Sequence, residues 1–241
     1  MILLAGLGTG VAGLVLVQKF GPREVPPPPL PPPPSPLAPA ALDALQSKAA
    51  AGDASAQTRL GWVYQKGNGV RPDMKAAADW FQRAAAQEYP EALAALGELT
   101  QAGQGVPRSL TEAARLYRLA AEKGSVAGQY NLAYLHEQGS GVDKSDTEAA
   151  RWYQLAAEGG DPIAQHDIGQ RYALGLGVPL DRAQAFKWLT LAAGQGQTDS
   201  ERLLRDLKAG MSAEEITQGR RLAKEFVVRV SKATTINSPT H

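Results

Sequence analysis

A recurrence at intervals of 36 residues constrains this chain of 241 residues more than any other feature. The stretch Leu60-Gly61-Trp62-Val63-Tyr64-Gln65-Lys66-Gly67-Asn68-Gly69-Val70 returns as Leu96 to Val106, Leu132 to Val142 and Ile168 to Val178. An exact period held through four copies belongs to arrays of stacked units, in which no single unit buries its apolar face alone.

The columns of the repeat give the period physical content. Gly67, Gly103, Gly139 and Gly175 are each followed two positions later by another glycine and then by a valine. Glycine in every copy of both positions predicts a positive φ where a helix ends and the chain turns. The earlier column Gly61, Gly97, Ala133 and Gly169 accepts alanine once. Alanine avoids positive φ, so this column demands smallness in the middle of a helix and implies a close helix-helix approach. After each turn Asp73, Ser109, Ser145 and Asp181 are N-caps, and Glu112, Glu148 and Gln184 complete capping boxes in three repeats. Each second helix then carries small, large and small layers: Ala77, Ala113, Ala149 and Ala185, next the pairs beginning Trp80, Leu116, Trp152 and Trp188, next Ala84, Ala120, Ala156 and Ala192. The next first helix opens after Gly52, Glu88, Gly124 or Gly160, with Asp53, Ser125 and Asp161 as caps and Pro90 and Pro162 at the first helical position.

The pattern A-x-x-x-L-G-x-x-Y-x-x-G-x-G-V, followed by a cap, alanines, an aromatic and A-A-x-x-G, resembles the Sel-one-like repeat family, a branch of the tetratricopeptide-like helical repeats. Departures are local: Thr100 and His136 replace the tyrosine of Tyr64 and Tyr172, Ala133 replaces glycine, and Glu88 replaces glycine. The replacement at Thr100 is expected to leave the second repeat less well filled. The resemblance implies an all-α fold, a right-handed superhelical solenoid of four helix-turn-helix repeats over residues 52–87, 88–123, 124–159 and 160–195. It further implies a concave face lined by the first helices and used to bind a protein or peptide.

Composition narrows the function classes. A net charge of +1 argues against a dedicated nucleic-acid binder. The absence of cysteine removes disulfides, thiol chemistry and cysteine-zinc sites. Ile2 to Val17 is an uncharged apolar run whose sixteen residues reach about 24 Å as a helix, slightly short of a hydrocarbon core of roughly 30 Å. With Met1 and a snorkelling Lys19, residues 1–20 are expected to anchor the chain in a membrane. A cleaved signal and a buried soluble segment are the alternatives, although no basic stretch precedes the run and no small-x-small site follows closely. Gly6 and Gly10 form a GxxxG pair that would allow a homodimer through this helix. Gly8 to Gly13 spells GxGxxG, but polyproline follows instead of the strand and acidic residue a dinucleotide site needs. Eleven of the seventeen prolines lie between Pro22 and Pro39. Residues 21–39 thus read as an extended stalk about 55 Å long. Lys19 and Arg23 after the apolar run favour a cytoplasmic repeat array, whereas proteins of similar layout favour the periplasmic side, which is the expectation adopted.

The array spans residues 40–210. Ala40 to Ala51 aligns with a second helix and reads as an N-terminal half repeat. Thr198 to Lys208 occupies the register of a fifth first helix, with Arg205 where glycine would stand. Ser212-Ala213-Glu214-Glu215 is a capping box opening a helix over residues 211–232, apolar along Ile216, Gly219, Ala223 and Phe226 and basic along Arg220, Arg221 and Lys224. Such a helix caps the last repeat, or binds a membrane surface or partner through its basic side. Residues 233–241 read as a disordered tail.

Catalytic constellations do not emerge. His136 reads as a core residue and His166 as a surface or interface one, while Glu137 and Asp167 fall on solvated faces without a facing carboxylate. No cofactor or metal site is expected. Binding is assigned to the columns that packing does not consume: Arg59, Trp62, Glu98, Asn131, Tyr134, Asp167 and Gln170, with Trp62 and Tyr134 as aromatic anchors. The expected protein is a membrane-tethered, non-enzymatic scaffold or adaptor for a protein or peptide partner in bacterial cell-envelope assembly or signalling. A self-associating membrane protein with the repeats as spacer is the alternative, and a hydrolase the remote one.

Overall fold

The computed structural model describes residues 37–236. The expected membrane anchor, nearly all of the proline-rich segment and residues 237–241 lie outside them. Among the described residues there are eleven helices and no strand. In chain order they are α1 (Pro39–Ala50), α2 (Ala54–Lys66), α3 (Met74–Ala85), α4 (Pro90–Ala102), α5 (Leu110–Glu122), α6 (Val126–Gln138), α7 (Asp146–Glu158), α8 (Pro162–Leu174), α9 (Arg182–Gly194), α10 (Thr198–Lys208) and α11 (Ala213–Ile236). No helix among the described residues is long and apolar enough to cross a membrane. They fall into two compact units, one ending at Ile168 and one beginning at Gly169.

In the first unit α2 packs on α3, α4 on α5 and α6 on α7, and each pair packs on the next. The half repeat α1 covers α2 through Leu45 and Ala49. Within each pair the small column works as the sequence implies. A Cβ on Gly97 would stand 2.6 Å from the Tyr117 ring, so the bare backbone of α4 is what lets α5 approach. Phe81, Tyr117 and Tyr153 fill this layer and are almost fully buried. Two of these rings are also tied by their hydroxyls: Tyr117 donates to Gln101 Oε1 at 2.9 Å and Tyr153 to Glu137 Oε2 at 2.9 Å.

The turn glycines serve two purposes. Gly103 ends α4 at φ 71°, and Gly105 at φ 72° also lies so close to the Met74 carbonyl, at the start of α3, that a side chain would collide with it. Gly141 meets the Leu110 carbonyl in the same way, so the second turn glycine is where one repeat seats on the one before. At the other end of each pair, Gly52, Gly124 and Gly160 take positive φ, and Glu88 does so at 58°, alone among the non-glycine described residues.

The capping boxes form only by half. Ser109 Oγ accepts from the Glu112 backbone N–H at 3.2 Å, but Glu112 turns to Arg115 instead of returning to Ser109. The Ser109 N–H donates to the carbonyl of Thr100, and the bonds Asp73 to Tyr64, Ser145 to His136 and Asp181 to Tyr172 repeat the pattern. A carbonyl at the end of the first helix thus satisfies the donor that the glutamate would have taken. Thr100, expected to leave a poorly filled site, is buried and donates its hydroxyl to Leu96.

In the second unit α9 packs on α10 and α11 around Ala185, Phe186, Leu189, Leu203 and Leu207. Gly219 lies where a Cβ would meet the Phe186 ring at 2.7 Å, and Trp188 packs edge-on to Phe226 at 5.3 Å. Here the capping box is complete: Ser212 N–H donates to Glu215 Oε2 at 2.7 Å and Glu215 N–H to Ser212 Oγ at 3.1 Å. The helix it opens runs to Ile236, four residues past the expected end, because nothing between Lys232 and Ile236 breaks a helix.

Candidate functional site: the first-helix face

On each first helix the packing columns leave a strip of side chains that are not fully buried. On α6 the strip is Tyr130, Asn131, Tyr134 and Glu137, at helical spacing and half-buried, between the buried Leu132, Ala133, Leu135 and His136. On α2 it is Arg59 and Trp62, both exposed, with Trp62 at 37% the most exposed aromatic of the array. The Trp62 ring meets Phe81 edge-on at 6.3 Å, so Trp62 is held at its base while its outer surface stays open. The first helices α4 and α6 touch directly, which brings their strips side by side.

Contacts run along this face from repeat to repeat. Glu98 on α4 is open to solvent on one side and crowded by protein on the rest. Asn131 on α6 and Lys66 on α2 both stand near enough to act on its carboxylate. Burial nonetheless dominates and raises its proton affinity above the ordinary carboxylate range. Farther along, Tyr130 packs edge-on to Tyr153 at 5.5 Å. Burial, then the charges of Asp167, Asp161 and Glu137, push the Tyr130 hydroxyl far above its usual range, so it stays protonated and able to donate. Two expectations are corrected: Glu137 and Asp167 do not lie on freely solvated faces but are half-buried, Glu137 accepting from the Tyr153 hydroxyl of α7 and Asp167 standing near enough to act on Tyr130 and Tyr153.

The structure therefore brings together Glu98 and Asn131, with Lys66 beside them, and gathers Tyr134, Asp167 and Tyr130 around the α6 strip. Arg59 and Trp62 sit on α2, and Gln170 is half-buried on the part of α8 that belongs to the second unit. Lys66 and Tyr130 were not expected in the site. Both sit one helical step beside the columns chosen from the repeat, and only the contact across repeats reveals them.

Other polar side chains are absorbed by the fold. Gln57, Gln129 and Gln165 are buried and donate to the carbonyls of Ala49, Ala121 and Ala157, each eight residues earlier, pinning a first helix to the end of the preceding second helix. His136 is buried with Nδ1 at 3.2 Å from the Asp143 carbonyl, as its core assignment requires. His166, expected at the surface or in an interface, is also buried. Arg171 takes the place of Val63, Leu99 and Leu135 and is buried as they are. Among the described residues no group of His, Asp and Glu could hold a metal ion.

Comparison with known proteins adds independent findings. The Sel1 repeat family model matches residues 54–89, 90–125, 126–161 and 162–197. Among solved structures the chain is similar to a Sel1 repeat protein from Oxalobacter formigenes, at 31% identity over 77% of this chain and 79% of that one, with a TM-score of 0.65. It is also similar to c5321, a protective antigen of uropathogenic Escherichia coli strains displaying an SLR fold, at 26% identity over 95% of this chain, with a TM-score of 0.71. The match covers 48% of that antigen, so this chain spans about half its length. No curated protein matches the sequence.

Proposed function

This chain belongs to the Sel1 repeat family, whose repeats generally mediate protein-protein interaction, and from that premise we propose that it is a scaffold or adaptor binding a protein or peptide along its first helices. The observation that carries the reading is the set of side chains there that packing leaves accessible. Trp62 is exposed and braced from below by Phe81, and Glu98 is open to solvent on α4 with Asn131 of the next repeat near it. Aromatic side chains held rigidly at a surface offer large contact area at low entropic cost and dominate binding hot spots. The partner meets this face while the chain is held at a membrane by residues 1–20, with the repeats on the periplasmic side and residues 21–39 as spacer. That part of the proposal is supported by the apolar run Ile2 to Val17 and the proline density after it.

The test is affinity purification of the full chain from membranes, compared with the Trp62→Ala, Tyr134→Ala double variant. The expected result is loss of a partner that the wild-type chain retains, with the thermal melt unchanged. Retention of every partner by the double variant would overturn the assignment of the face. A reporter fused to the C-terminus and active on only one side of the bilayer tests the topology, and activity in the cytoplasm would overturn the periplasmic placement.

A further inference from the structure

Resting on that reading, we propose that the first turn of the array is a joint that locks the proline-rich spacer to α2, so that the binding face keeps one attitude toward the membrane. Leu37, the first described residue, is held in three ways. Its N–H donates to Asn68 Oδ1 at 3.1 Å, and its carbonyl oxygen lies where a Cβ on Gly69 would stand 2.9 Å away. Its side chain packs, as do those of Tyr64 and Val70, against the cluster of Leu45, Leu60 and Val63. Gly69 has φ 83°, so a side chain there is excluded by conformation as well as by space. One restraint would leave the entering chain free to pivot. A donor, a carbonyl and a side chain fixed together do not.

The first turn departs from the other copies in ways that suit a joint. Asn68 is buried, whereas Gln104 and Leu176 in its column are exposed and Ser140 is half-buried. The helix that enters here, α1, starts after Ala38, which has no side-chain acceptor, while α3, α5, α7 and α9 are capped by Asp73, Ser109, Ser145 and Asp181. The entry of α1 is thus fixed from outside, by an amide six residues beyond Trp62 in the turn that follows α2. Immediately before Leu37 stands Pro36. Proline fixes its own φ and restricts the residue before it, and a proline-rich chain carries an orientation over several residues. The three restraints on Leu37 therefore set the direction in which the spacer leaves α2, and Trp62 is presented at a constant angle to it.

The chain has no cysteine, so a pair of spin labels can be placed on it without removing native thiols. Ser35→Cys and Glu122→Cys put one label in the spacer and one at the exposed end of α5. Double electron-electron resonance on the full chain in detergent then reads the distribution of distances between them. The distribution is expected to be narrow, to broaden about twofold with Asn68→Ala as the spacer gains freedom, and to stay narrow with Asn68→Asp, which keeps the acceptor oxygen. A second pair, Gln104→Cys and Glu122→Cys, lies within the array and should not respond to either substitution, which separates a loosened joint from unfolding. A broad distribution in the wild type, an Asn68→Ala distribution as narrow as the wild type, or equal broadening by Asn68→Asp overturns the inference. Flotation of the full chain with lipid vesicles tests the reading beneath it. A chain that floats without a locked joint loses the joint alone, and one that does not float loses the membrane-held reading and this inference with it.

Discussion

A Cβ built on Gly61 would stand 2.5 Å from Cε1 of Phe81, and twenty residues separate the two, as they separate Gly97 from Tyr117 and Gly169 from Leu189. The missing side chain of one helix is thus the space that the large residue of the next occupies. Val at Gly61 or Gly97 must displace a buried ring and is expected to cost about 2–3 kcal/mol by overpacking. Gly169→Val should cost less, because the atoms it meets are those of an aliphatic leucine at 2.9 Å and beyond. Urea unfolding of the three variants measures the order, and a Gly97→Val chain as stable as the wild type would contradict it.

The N-caps separate what a motif promises from what a fold uses. Ser109→Ala removes the acceptor of the Glu112 N–H and is expected to cost about 1 kcal/mol. Glu112→Ala removes only an exposed pair with Arg115 and is expected to cost less than about 0.5 kcal/mol. In α11, where the reciprocal bond forms, Glu215→Ala should cost more than Glu112→Ala. Thermal unfolding of the three variants checks the ranking, and equal losses at Glu112 and Glu215 would refute it.

The same contrast explains how far the sequence could be read. Helices, turns and the small column were legible because each is a local demand repeated at a fixed interval, and a column such as Gly67 to Gly175 states its backbone requirement outright. The unused half of the capping box was not, since the competing Thr100 carbonyl lies nine residues back and nothing in the serine or glutamate announces it. The nearness of Asn131 to Glu98 escaped for a related reason: it joins different columns of different repeats, and the period aligns columns only with themselves. The buried glutamines give no periodic signal of their own, because repeat two carries Leu93 in their column.

That Leu93 makes the glutamine column testable. Gln129 donates to the Ala121 carbonyl, which also accepts from the Gly124 N–H, so removing the side-chain donor does not orphan the carbonyl. Gln129→Leu keeps the volume and copies repeat two, and is expected to cost less than about 1 kcal/mol. Gln129→Ala leaves a void as well and should cost about 2–3 kcal/mol. Denaturant unfolding distinguishes them, and a Leu variant as damaged as the Ala variant would mean that the hydrogen bond, not the volume, holds the helices together.

Glu98 gives the stability of the first-helix face a dependence on pH. Burial raises its carboxyl above the ordinary range, with the nearby Asn131 amide and the charge of Lys66 opposing only in part. A raised folded value means that the fold binds this proton up to a higher pH than the unfolded chain, whose glutamate titrates near about 4.3. Its contribution therefore favours folding fully below that unfolded value and is lost as pH rises through the folded one. At pH 7 the ionised Glu98 opposes folding in a way that a neutral amide of the same shape would not. Glu98→Gln is accordingly expected to be more stable than the wild type at pH 7 and indistinguishable from it near pH 4, as measured by urea unfolding at both. A variant less stable at pH 7 would mean that Asn131 and Lys66 outweigh burial, and that the link across the three repeats holds the face together instead of costing it stability.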